Sequence, residues 1–227
     1  MEKLNVIITG ATGMVGEGVL HECLKHPNVE NILIITRKST GYSHPKIKEI
    51  IHPDFSSFSK LKPQLKGYNA CLFCMGVTSL GKKEADYYKL TYTLTLNLAK
   101  LLANINHNMT FCYISGSGTD SSEKGRIMWA RVKGKTENDL MKLPFKAVYN
   151  FRPAFIKPFL PLKPNQTFYK TYKYVAWLFP ILKVLAPNMV LSLEQLAAAM
   201  INACITGYST HVLEVKDIKK LSLKPKK

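Results

Sequence analysis

The sequence predicts an α/β fold: a doubly wound parallel sheet with helices on both faces and a small C-terminal appendage. Three observations predict it. Short, almost continuously apolar runs alternate with helical patterns along most of the 227 residues. The first run ends in a glycine-rich turn, LNVIITGATGMVGEG at positions 4–18. Apolar residues make up 46% of the chain, enough for one substantial core and too many for a disordered polymer.

The predicted strands are Leu4–Thr9, Asn31–Thr36, Lys48–Ile51, Ala70–Cys74, Thr110–Ile114 and Ala147–Phe151. Strands this apolar on both sides belong to sheets covered by helices. Between them, Val15–Lys25, Glu84–Ala103 and Ile127–Met141 read as helices; Val15, Val19 and Cys23 recur at i+4 and form an inward face. Right-handed crossovers make the strand order 3-2-1-4-5-6 the natural expectation. After Arg152 the character changes. Residues 153–191 carry six prolines and many aromatics, and 155–191 reads as a lid on one 1–227 domain. A helix returns at Ser192, with Ser192 and Gln195 placed for a capping box and Gly207 placed to end it. A last strand is expected at His211–Val215. Lys216 to Lys227 reads as a solubilising, partly frayed tail.

The turn after the first strand carries the strongest chemical signal. Gly10, Gly13 and Gly16 follow the strand and open a helix, with Thr12, Met14 and Val15 between and after them. Glycines there permit a tight turn, a close backbone approach to a diphosphate and close helix–sheet packing. The amides of the first helical turn then face negative charge. Strand before and helix after is the context in which such a motif binds a dinucleotide. The ligand of an open α/β sheet lies beyond the carboxyl ends of its strands. Arg37 and Lys38 follow the second strand, where a carboxylate would hold a ribose 2′-hydroxyl. Two cations suit a 2′-phosphate, so the expected cofactor is NADP rather than NAD. Asp54 and Phe55 follow the third strand and suit an adenine; Cys74, Met75 and Gly76 follow the fourth.

TGATGMVG, the Asp54-Phe55 pair, CMGVT at 74–78, YISGSG at 113–118, Lys133 within VKGKTE and FRPA at 151–154 occur in this order. Together they resemble the extended and atypical short-chain dehydrogenase/reductases, and most of all the small Tat-interacting-protein-type oxidoreductases. The resemblance implies a Rossmann fold, NADP, and oxidoreduction of a small-molecule carbonyl or alcohol, or a substrate like a sugar nucleotide. It implies Ser117, or its neighbour Ser115, on the substrate oxygen, Lys133 on the nicotinamide ribose, and Pro153, Ala154 and Phe155 lining the cofactor. It also implies a tyrosine four residues before Lys133; this chain has Trp129. An indole N–H only donates and cannot shuttle a proton. Three readings stay open. Trp129 packs over the nicotinamide and the protein is an NADP-binding regulator docked on a protein partner or membrane. Or the proton comes from Tyr87, Tyr88, Tyr113 or a water on Ser117 and Lys133. Or 125–135 is not the catalytic helix.

The net charge is +17, from 32 Lys and Arg against 15 Asp and Glu. Such a field attracts phosphorylated cofactors, nucleic acid or anionic lipid. Nucleic acid fits poorly, because no binding motif accompanies the basic residues. The segment 168–191, FYKTYKYVAWLFPILKVLAPNMVL, is too broken by Lys and Pro to span a bilayer. It reads as an apolar lid favouring a hydrophobic substrate, or as a patch for an anionic membrane surface. The five cysteines show no disulfide spacing. Cys71 and Cys74, three apart on a strand, point to opposite faces, so no metal site is read. Reduced core thiols and the absence of a visible secretory signal give a cytoplasmic expectation.

Overall fold

A computed structural model describes residues 2–157 and 189–223. Its strands β1 (Leu4–Thr9), β2 (Val29–Thr36), β3 (Ile47–Ile51), β4 (Ala70–Phe73), β5 (Thr110–Ile114), β6 (Ala147–Arg152) and β9 (Val212–Glu214) form one parallel sheet. The order is β3-β2-β1-β4-β5-β6-β9, the expected arrangement with one strand added at the edge. Two short strands, β7 (Phe155–Lys157) and β8 (Val190–Ser192), pair separately in parallel. They are the described ends of the expected lid; residues 158–188 lie outside the described residues, and with them most of the aromatic–basic segment.

Alternation along the strands divides the interior in two. Val6, Ile8, Ile32, Ile34, Leu72 and Phe151 face α1 (Met14–Lys25), α5 (Leu193–Thr206) and α6 (Val215–Ser222). Ile7, Leu33, Ile35, Cys71, Phe73 and Tyr113 face the other layer. That layer holds α3 (Leu94–Ile105) and α4 (Met128–Met141). Cys71 and Cys74 serve opposite layers, as their spacing requires. The helix between β4 and β5 begins as α2 (Glu84–Tyr88) and reaches α3 through a π-helical stretch, Lys89–Thr93.

Ser192 accepts from the Gln195 amide and Gln195 answers the Ser192 amide, so the predicted capping box opens α5. At Gly18 an added Cβ would meet Leu193 Cδ2 at 2.3 Å, so α1 and the start of α5 are in close contact. The frayed-tail expectation is corrected over α6. Val215, Ile218 and Leu221 recur every three residues and are buried, and Asn202 donates to the Leu221 carbonyl at 3.0 Å. Burial of that stripe orders a segment whose lysines alone read as solvated.

Candidate active site

The parallel sheet sends the loops after β1 to β6 to one edge, with the order reversing between β1 and β4. The β1 turn is built for close approach. Gly10 has φ +73°, and a Cβ there would lie 2.7 Å from the Cys74 carbonyl oxygen. A Cβ on Gly16 would lie 2.2 Å from the Gly10 carbonyl oxygen. Gly13 caps α1 without a side-chain hydrogen bond, and Thr12 and Gly13 are exposed. Met14 and Val15 are partly buried in the first turn, where backbone amides lack helical acceptors. The result is a bare backbone cradle at a helix N-terminus, which fits a dinucleotide diphosphate.

Arg37 and Lys38 are exposed beyond β2. The loop that follows them is held from two sides. Ser39 Oγ and the Thr40 amide and hydroxyl donate to Glu49 of β3 at 2.8, 2.9 and 2.6 Å. Burial would raise the Glu49 carboxyl, but these hydrogen bonds hold it low. Tyr42 donates to Glu17 of α1 at 2.7 Å, and burial together with that carboxylate pushes its phenol up to about 12. Phe55 is buried against Phe58, whereas Asp54 is exposed and accepts from the Ser56 amide. Cys74 and Met75 are partly buried and Gly76 is exposed.

The loop after β5 is stitched to the end of β6. The Ser115 amide donates to Phe151 and the Ser117 amide to Pro153, both at 2.9 Å. Ser115 Oγ also donates to the Phe151 carbonyl and is committed to the fold. Ser117 is exposed, so of the two serines it is the accessible one. Trp129 and Lys133 stand one turn apart on α4. The Trp129 ring lies 3.5 Å from a Cβ placed on Gly118. The Lys133 amine donates to the Ser115 carbonyl and lies 3.8 Å from a Cβ placed on Gly116. Burial lowers that amine to about 8, with Glu137 opposing the shift. Trp129, Lys133, Ser115, Gly116 and Pro153 thus share one corner of the sheet edge. Ala154 is partly buried and Phe155 exposed beside them.

Arg152 is tied into the fold. Its guanidinium reaches Glu137, Ser121 and Glu214. Glu137 escaped the sequence reading, although its i+4 offset from Lys133 places it on the same helix face. Tyr113 and Tyr87, at 1% and 2% exposure, are core residues.

A parallel α/β sheet with a glycine cradle at its switch point and an α4 lysine reaching the loop after β5 defines an NAD(P)-binding oxidoreductase-like protein. Residues 6–125 match the family model described as the NAD dependent epimerase/dehydratase family, and the chain belongs to that family. It is 27% identical over 155 residues to "Protein FMP52, mitochondrial" of Candida glabrata, covering 68% of this chain and 64% of that relative. Its counterpart in Saccharomyces cerevisiae is 26% identical over 153 residues, covering 66% and 65%. The chain thus spans just under two thirds of the curated relatives it matches. A UDP-N-acetylglucosamine 4-epimerase from Methanobrevibacter ruminantium shares the fold with a TM-score of 0.67 and 15% identity, over 97% of this chain and 81% of that one. Bordetella bronchiseptica WbmG, solved with NAD, has a TM-score of 0.66 and 15% identity, over 98% and 78%. The cytoplasmic expectation is corrected by the relatives' names, which are those of mitochondrial proteins. Free cysteines do not by themselves choose a compartment.

Proposed function

We propose that this protein is a mitochondrial NADP-dependent oxidoreductase that interconverts a carbonyl and an alcohol on an apolar small molecule. Within the family, the CMGVT–YISGSG–VKGKTE–FRP series favours the Tat-interacting-protein-type oxidoreductases. The observation that carries the reading is the corner formed by Ser117, Trp129 and Lys133, on the same sheet edge as the bare α1 turn. Gly10, Gly13 and Gly16 would hold the diphosphate, Arg37 and Lys38 the 2′-phosphate, and Asp54 and Phe55 the adenine. The bound dinucleotide would supply or accept the hydride. Lys133 would hold the nicotinamide ribose, and Ser117 would donate to the substrate oxygen. The aromatic composition of 168–191 supports an apolar substrate. A second reading, a nucleotide-binding regulator without turnover, is favoured by Trp129.

Fluorescence titration with NADPH and NADH tests the first reading, followed by turnover of a panel of apolar aldehydes and ketones. Tighter binding of NADPH with consumption of one equivalent per carbonyl is expected. Equal affinity for both nucleotides overturns the assignment to NADP, and binding of NADPH without turnover favours the regulator.

A further inference from the structure

We propose that the Lys133 ammonium itself donates the proton to the substrate oxygen. The inference rests on the oxidoreductase reading above and names the acid that reading needs. The other titratable groups that the sequence brings toward this corner are buried in the core or packed away from it. Trp129 does not titrate near neutrality. Tyr113 and Tyr87 are buried among core side chains, and burial pushes both phenols up. Tyr88 packs at a tilt against Tyr92 with ring centroids 4.6 Å apart, and Tyr92 donates to Asp139. Burial also pushes up the Cys74 thiol, which packs toward the α1 layer.

Lys133 is placed differently. Its amine is met by the Ser115 carbonyl at the end of β5, with the Pro153 carbonyl from the β6 side bordering the same Gly116 turn. An ammonium has three donors, so one carbonyl leaves capacity for a substrate oxygen. Glu137 is the charged group that acts on it among the described residues, and its carboxylate is already gripped by Arg152. The ammonium therefore lacks the close ion pair that would fix its proton. Burial brings the amine to about 8, where a group can both give up and regain a proton at neutral pH. In the forward step the carbonyl carbon gains a hydride, both electrons coming from the reduced nicotinamide. The C=O π pair moves to oxygen and takes a proton from Nζ, and water reprotonates the neutral amine. The exposed Ser117 hydroxyl would steady the same oxygen by donation.

The test uses the full chain, NADPH and the aromatic diketone benzil. Competitive acetylation followed by mass spectrometry gives the midpoint of each lysine without any need for turnover. Lys133 is expected to titrate near 8, against about 10.4 for an ordinary lysine, and NADPH should protect it. With benzil, kcat should fall as pH rises through that midpoint. Lys133→Arg keeps a cation for the ribose, so it should still bind NADPH, more weakly, and should lose at least ~100-fold in kcat together with the fall of kcat near pH 8. A Lys133 midpoint in the ordinary range overturns the inference. So does Lys133→Arg with native kcat and an unchanged pH profile, while NADPH binding leaves the cofactor reading standing. A native protein that binds no NADPH overturns that reading and this inference together.

Discussion

Arg152 and Glu137 meet inside the protein as a two-point pair: Nε donates to Oε1 at 3.0 Å and Nη2 to Oε2 at 2.5 Å. The Glu137 side chain is wholly buried and that of Arg152 is 11% exposed. Removing Arg152 strands the buried Glu137 carboxylate, at a cost of about 3–5 kcal/mol. Arg152→Met should lose about that much in urea unfolding, and Glu137→Met less, because Glu214 and Ser121 still hold the arginine. The double methionine variant should recover most of it, because no buried charge is then left alone. A double variant as unstable as the sum of the singles would contradict this account.

Two glycines of the nucleotide turn should respond differently to the same change. A Cβ on Gly16 falls 2.2 Å from backbone oxygen, whereas on Gly13 the nearest atom is at 3.4 Å. Gly16→Ala must move the turn and should weaken NADPH binding by roughly 10-fold or more, an overpacking cost of about 1–3 kcal/mol. Gly13→Ala should leave the melting temperature nearly unchanged while reducing NADPH affinity, since its methyl would sit where the diphosphate comes close. Fluorescence titration and thermal unfolding of both variants separate the effects.

Replacing Arg37 and Lys38 together by Ala should lower NADPH affinity by roughly 10–100-fold, about 1.4–2.7 kcal/mol, and leave NADH affinity nearly unchanged. The loop that follows them is pinned independently by Glu49 and Glu17. Glu49→Gln should therefore weaken NADPH binding less than the loss of the cations does. Calorimetry with both nucleotides decides.

Asp139 gives a pH dependence with a definite sign. Burial would raise its carboxyl, but Lys142, Tyr92 and Lys135 outweigh burial and hold it at about 2. The unfolded value is about 3.9, so the folded state favours the ionised form. Its contribution, about 2 kcal/mol, is fully present above the unfolded value and is lost as pH falls through about 4 toward 2. Urea unfolding of native protein and Asp139→Asn should differ by about that amount at pH 6 and converge in acid. A gap that widens on acidification would refute the assignment.

The strand order was readable because its signals are local: apolar runs, a glycine turn and the spacing of crossovers. Boundaries moved little; the helix expected at Ile127–Met141 starts one residue later, at Met128. Other features depend on distant partners. The β7–β8 pair joins Phe155 to Val190 across more than thirty intervening residues and has no local pattern. The 3-10 helix Ser59–Leu65 carries Pro63 within it, which reads as a loop. Ile218 and Leu221 were hidden by the lysines around them. At the site, motif order singled out Lys133 and Ser117, and the structure sets Lys133 against the Ser115 carbonyl. That Ser115 spends its hydroxyl on Phe151 was not, because it requires the β5–β6 register. Arg152 stood out in the FRPA segment, but which of the chain's carboxylates it would choose is a matter of tertiary placement, and Glu137 passed unnoticed.

The last helix also sets limits on how the protein can be handled. Glu214 just ahead of it bonds Arg152, and Leu221 near its end accepts from Asn202. Cutting the chain ahead of Glu214 would bare one flank of the interior and take one of three partners from the arginine that steadies the glutamate beside Lys133. What looks like a dispensable trailer is closer to a keystone, and affinity tags belong beyond it or at the opposite terminus.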